Sequence, residues 1–344
     1  MNIIELKRLI FIASFFLFLS INTFSQNKVR NYYEIINRAE LHICNTHYYD
    51  ALVSYDSAFR IIQPFNIDLS NAVECAIDAK NTQKLLFYLG WLKAKGYDPK
   101  PTWDMYKHIM AFNPKIIDSL NAFPVSSLCK EKDTTFISEV KLRYELDQRL
   151  DKERIKHFAA KDSLANVYRD SFNCVVNSNA KWLKQWIEMN GFPSEECYYS
   201  IDFKQNVFPK LINMITHYFQ GENWDMYDIL KKSVYDGLLR PIDLAEKVRF
   251  VPQNAVEYGI APYVFMGDSL ILQKYDVEIV NKNRYELMLE PYEDYLTKVN
   301  YILNNGDDKY YFSTYAAVIL FVDYDTFNGY LEKRRKSFDT KQSF

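Results

Sequence analysis

The chain has 344 residues, enough for about two domains, and its 48% apolar and 16% aromatic content excludes both a disordered tail and a mini-protein that needs staples. Nine glycines leave little material for Gly-rich phosphate loops or for the turns of an all-β fold, so helix is the default expectation. A formal net charge of −2 gives no basic footprint for nucleic acid.

At the start of the chain, Lys7 and Arg8 precede an apolar run from Leu9 to Leu19, and Ser20 to Ser25 offers small residues for a cut before Gln26. This is the pattern of a secretory signal peptide over residues 1–25. The run falls short of the roughly 20 apolar residues that span a bilayer, so no membrane span is expected after cleavage. No cysteine stands at the cut, so the expected product is periplasmic or secreted and not a lipoprotein. Cys44, Cys75, Cys129, Cys174 and Cys197 are odd in number and lack a CxxC pair; Cys174 with Cys197 is the only bridge worth considering, and packed thiols are the preferred reading.

Residues 26–134 read as a helical repeat region. In the stretch from Tyr48 to Phe59, Ala51, Tyr55 and Ala58 recur at helical spacing before Pro64. Small, aromatic, small at that spacing resembles the second helix of a tetratricopeptide repeat, and a step of 34 residues lands on Leu85, Leu89 and Leu92. A preceding helix near Tyr32 to Ile43 carries Ala39, with His42 where the repeat family has an aromatic, and the turn falls at Asn45-Thr46. Short helices broken at Pro114 and Pro124 follow, and the polar turn from Lys130 to Thr134 marks a boundary.

A second, helical domain is expected over 135–300, with 301–344 as an extension packed on it. The spacing predicts a long helical stretch from Thr135 to about Asn190, with Phe136, Val140, Tyr144 and Leu150 on one stripe, stopped by Gly191-Phe192-Pro193. Further helices are predicted at 206–219, 224–236 and 242–249, and a β-hairpin at Tyr263 to Leu272 around Gly267-Asp268. Pro291 fits the first turn of a helix through Val299, and the apolar run from Tyr310 to Val322 reads as a core helix or buried strand. The expected fold is therefore mainly α: tetratricopeptide-like hairpins, then an α-helical domain with a small β-hairpin.

Several short anchors in this second region occur in a familiar order: Asp147-Gln148 with Arg154, Gly191-Phe192-Pro193, His217, Glu246-Lys247, Tyr258-Gly259, and Tyr292 to Leu296. In that order the region resembles the bacterial family known as domain of unknown function 6624, over about half the chain. The family pattern has Asp-Arg where this chain has Glu246-Lys247, and Tyr-Gly-Thr-Gln where it has Tyr258-Gly259-Ile260-Ala261. The first change keeps a charge pair without the planar fork of Arg. The resemblance implies no activity, because none is attached to the family.

No GxGxxG, Walker A, HExxH, GxSxG or EF-hand pattern is present, so no cofactor or metal is expected. His42 and His47 are five apart and straddle a turn, so they do not share a helix face as a metal pair would. The candidate catalytic set is His217 as general base with Asp147, Glu246 and Tyr258. The plainer reading, a boundary histidine bonded to a neighbouring helix, is preferred for His217, and a buried inter-helix bond or a solvated face for Asp147. Trp182 and Trp186, an i, i+4 pair, read as core. Two function classes follow: a protein or peptide partner held by the N-terminal repeats, and, as the alternative, an extracytoplasmic hydrolase-like enzyme using His217 with an acidic partner.

Overall fold

A computed structural model describes residues 26–95, 104–122, 133–193, 195, 208–220, 225–248, 258–260, 262–266, 269–305 and 309–312. The fold is mainly α. Residues 1–25, where a signal peptide is expected, and most of the apolar run after Tyr310 lie outside the described residues. No helix among the described residues is long and apolar enough to cross a membrane.

Helix α1 (26–44) buries Val29, Tyr32, Ile36, Ala39 and Ile43, a stripe at alternating three- and four-residue steps. It turns back into α2 (Tyr48–Ala58), whose Ala51, Tyr55 and Ala58 are fully buried as the spacing predicts. Next come α3 (Asn66–Asp78) and α4 (Thr82–Ala94), the latter burying Leu85, Leu89 and Leu92. The second hairpin repeats the first at a 34-residue offset, since α1 ends at 44 and α3 at Asp78, while α2 begins at Tyr48 and α4 at Thr82. Helices α5 (Asp104–Phe112) and α6 (Lys115–Ala122), broken at Pro114, complete the first core.

The second core begins at Phe136. The single long helical stretch expected over 135–190 is instead a hairpin of α7 (Thr134–Ala160) and α8 (Ala165–Asn190). The break carries neither Gly nor Pro. Lys161 adopts φ 53, and the Asp162 carboxylate accepts from the Leu164 N–H (2.9 Å) and from His157 Nδ1 (2.6 Å), which closes the turn. Trp182 and Trp186 lie against Phe136, with ring centroids 5.8 and 4.9 Å away. Helix α9 (Phe208–Gln220) packs across both helices of the hairpin, α11 (Pro241–Val248) packs on α9, and α10 (Tyr227–Tyr235) packs on α11, all within the same core. Strands β1 (Tyr263–Met266) and β2 (Ser269–Leu272) form the expected antiparallel hairpin, Tyr263 opposite Leu272. An unforeseen helix, α12 (Val277–Glu286), precedes α13 (Tyr292–Asn305), which runs past the predicted end at Val299.

The described part of the chain after residue 300 divides between cores: Leu303 packs with Val280, Tyr292, Tyr295 and Val299, while Ile302, Tyr310 and Phe312 join the first core. The cause lies on α3. Its apolar arc faces α2 and α4, while Asp68, Asn71, Glu74 and Asp78 form a polar stripe along its other side. Buried polar groups need partners, and the end of the chain supplies them. Cys44, Cys75 and Cys174 are free thiols, and Cys129 and Cys197 lie outside the described residues.

Candidate functional site

The stripe of α7 that carries Phe136 and Val140 into the core continues to Asp147, a carboxylate where the pattern calls for an apolar side chain. Asp147 is fully buried. Its Oδ1 meets His217 Nδ1 of α9 at 2.7 Å and accepts a second bond from Gln148 Nε2 at 3.1 Å. Its Oδ2 has no hydrogen-bond partner among the described residues. A carboxylate only accepts, so Nδ1 carries a proton in this bond, and Nε2 is the ring nitrogen that Asp147 leaves unused. The imidazole is 14% exposed and meets the edge of Phe172, centroid to centroid 5.3 Å, with the Arg154 guanidinium 4.9 Å from that phenyl ring. A buried carboxylate thus fixes the orientation and tautomer of a reachable histidine, the relation that a general base requires.

The other two candidates have different partners. The Tyr258 hydroxyl bonds the Tyr227 hydroxyl at 2.7 Å, and its pKa is raised by burial first and by that bond second, which keeps the phenol protonated. Its carbonyl accepts from Arg284 Nη1 at 2.8 Å. The following Gly259 is required by shape: φ is +61°, and a Cβ there would stand 2.8 Å from Tyr292 Cε2. Glu246 is buried on α11, its carboxylate 3.9 Å from Lys247 Nζ. The structure therefore joins Asp147 and His217 and places Tyr258 and Glu246 in separate pairings. The planar fork missing at Glu246-Lys247 occurs one turn earlier, where Arg240 grips Asp243 through Nε (2.8 Å) and Nη2 (2.5 Å). Tyr198 and Tyr199 lie outside the described residues.

A second site, which the sequence reading missed, lies on the polar stripe of α3. Asn71 brackets the main chain of Tyr311: its Oδ1 accepts the Tyr311 N–H (2.8 Å), and its Nδ2 donates to the Tyr311 carbonyl (3.3 Å). On one side Asp78 bonds Lys309 and the Tyr310 hydroxyl, the latter at 2.5 Å, with Glu74 3.9 Å from the same lysine. On the other side the Phe312 ring is buried. Burial first, then the neighbouring Cys75 and the Asp78 contact, raise the Tyr310 phenol well above its ordinary range, so it stays a donor. The four residues 309–312 are thus held by the backbone of Tyr311 and by side chains on either side of it.

Between the two cores lies a cluster of buried charge. Lys298 of α13 joins Glu40 of α1 (2.7 Å) to Glu290 (2.9 Å), and Arg284 reaches the other Glu290 oxygen at 3.4 Å. Burial opposes the charge on Glu290, but Lys298 and then Arg284 outweigh it and bring its pKa down to about 2. Nearby, Tyr32 donates to Asp68 at 2.5 Å, and burial, only partly offset by that bond, pushes Asp68 up to about 7. Glu195, from the segment after α8, accepts the Asn66 N–H at 2.7 Å and so serves the N-terminus of α3, where the N-cap residue supplies no side-chain bond. Tyr33, Glu40, Asp68, Arg240, Glu290 and Lys298 line a cavity of about 60 Å³ at this junction.

Compared with known proteins, the chain matches no family model, no curated protein and no solved structure.

Proposed function

We propose that this is an exported peptide-recognition protein, in which tetratricopeptide-like hairpins present a surface that grips an extended chain and whose 135–300 region is of the kind grouped as domain of unknown function 6624. The observation that supports this reading is the paired hydrogen bond between Asn71 and the main chain of Tyr311. A hold on backbone atoms is independent of sequence, and specificity is then set by the flanking side chains. Here those are a cation and a phenol against Asp78 and an aromatic ring in an apolar slot. The favoured ligand is an extended peptide with a basic residue two or three positions before an aromatic one, and in the free chain the protein's own residues 309–312 hold that place.

The test is fluorescence anisotropy with a labelled peptide reproducing residues 306–314. The full chain bearing Lys309→Ala and Phe312→Asp, whose own segment is weakened, is expected to bind it and to lose binding when Asn71→Ala is added. The unchanged chain is expected to exclude it. Binding that ignores Asn71→Ala, or none to the weakened chain, removes the reading.

A second reading rests on the 2.7 Å bond between Asp147 and His217: a hydrolase-like enzyme with His217 as general base. It predicts that His217→Ala abolishes turnover in a screen of ester, peptide and phosphoester substrates while the thermal unfolding curve stays in place. A purely structural loss counts against it.

A further inference from the structure

Three of the five histidines are committed to carboxylates: His108 to Glu74 at 2.9 Å, His157 to Asp162 at 2.6 Å and His217 to Asp147 at 2.7 Å. The other two, His42 and His47, bond no carboxylate among the described residues; they face each other, ring centroids 6.2 Å apart. The backbone brings them there. Helix α1 ends with Thr46 at φ 59, the His47 N–H returns to the His42 carbonyl (2.8 Å), and the Thr46 N–H returns to the Ile43 carbonyl (2.9 Å). This is the Schellman closure of a helix C-terminus, which sets the residue after the left-handed position against the residue three before the cap. In most proteins that pair is an apolar contact; here both members are imidazoles. Asp50 stands three residues after His47 in the first turn of α2, the spacing at which side chains share a helix face. One donor atom from each of His42, His47 and Asp50 lies within 4.8 Å of the other two.

We infer that His42, His47 and Asp50 form a binding site for a divalent transition metal of the zinc class. Two imidazole nitrogens and one carboxylate oxygen suit Zn²⁺ and its neighbours, and disfavour Ca²⁺ and Mg²⁺, which take all-oxygen shells. A tetrahedral ion with bonds of about 2.0–2.1 Å needs donors roughly 3.3 Å apart. His47 and Asp50 are both exposed, which leaves their side chains room to rotate towards that spacing. Three ligands leave a fourth position, and the adjoining hollow of about 390 Å³ is lined by His47, Asp50 and Asp78, so an exogenous donor has access to the ion. Binding requires neutral imidazoles and therefore weakens on acidification.

Isothermal titration of the purified chain with zinc chloride tests this. The expected result is one ion per chain, with binding weakened more than about tenfold by each of His42→Gln, His47→Gln and Asp50→Asn and unchanged by His217→Ala. His47 and Asp50 are exposed, so their variants are expected to keep the parent circular dichroism melt measured without metal, which separates loss of a ligand from loss of fold. Absence of binding overturns the assignment, and so does binding that persists in all three variants, because the ion then sits elsewhere.

Discussion

The charge buried between the two cores and the charge buried inside the second core differ in how completely each is paired. Between the cores, Lys298 and Arg284 face Glu40 and Glu290, two cations against two carboxylates, with Lys298 2.9 Å from one Glu290 oxygen and Arg284 Nη2, which makes no hydrogen bond among the described residues, 3.4 Å from the other. Inside the second core, Asp147 has one oxygen shared by His217 and Gln148 and one with no hydrogen-bond partner among the described residues. Paired charge fixes a geometry and leaves little for chemistry. A half-used carboxylate behind a reachable imidazole is costly to fold, and such cost persists where a site does something besides hold the fold together. The contrast fits the first cluster to the joining of α1 and α13, and leaves the second as the place where the proposed general base is to be tested.

The largest effect that sharpens this comparison is expected at the junction. Lys298→Met removes the cation between two buried carboxylates and is expected to cost about 3–5 kcal/mol in urea unfolding. A cost near zero would mean that the junction opens to water and is no tie at all. A second effect is read by pH. Asp68 has a folded-state pKa of about 7 against an ordinary 3.8, so the folded chain binds this proton more tightly than the unfolded one. The stability it contributes is fully present below about pH 4 and is lost as the pH rises through about 7. Asp68→Asn, which cannot ionise, is therefore expected to unfold at higher urea than the parent at pH 8, by an upper bound of about 4 kcal/mol, with the difference shrinking towards pH 4. An offset that stays constant across that range would show that Asp68 does not titrate with folding.

Much of this architecture is legible in the residues. Ala51, Tyr55 and Ala58 announce a close helix pair because small side chains at one-turn spacing have few other uses, and the 34-residue step then places α4. The α7–α8 turn is invisible because Lys161 and Asp162 read as one more charged turn of helix, whereas the break depends on a left-handed backbone that no Gly advertises. Helix α12 hides for the opposite reason: the largest side chain it buries is Arg284, a residue that sequence patterns assign to solvent. The apolar run at Tyr310 signals burial but not its partner, since Asn71 lies 240 residues before Tyr311. The turn at Asn45-Thr46 is legible, but it reads as separating His42 from His47, whereas the reversal at Thr46 brings the two rings together. Asp147 and His217 were both legible as polar residues on helices of a core-forming kind; the bond that joins them spans 70 residues and belongs to tertiary packing.

The smallest expected effect carries the most information. Asp147→Asn keeps an acceptor for the His217 N–H and for Gln148 while placing an amide NH₂ where the unpartnered oxygen stands. It removes a buried charge, which is favourable, and buries a donor, which is unfavourable; each is of the order of 1–3 kcal/mol, so the two nearly cancel. Net stability is expected to change by less than about 1 kcal/mol, measured by urea unfolding beside Lys298→Met. Any turnover or binding that uses His217 is expected to fall sharply, because the neutral amide no longer favours the imidazolium that forms as the base takes a proton. A loss of stability as large as that of Lys298→Met would put Asp147 and His217 in the same class as the junction, a structural tie, and would leave the proposed peptide surface of α3 and the proposed metal site at His42, His47 and Asp50 as the functional leads.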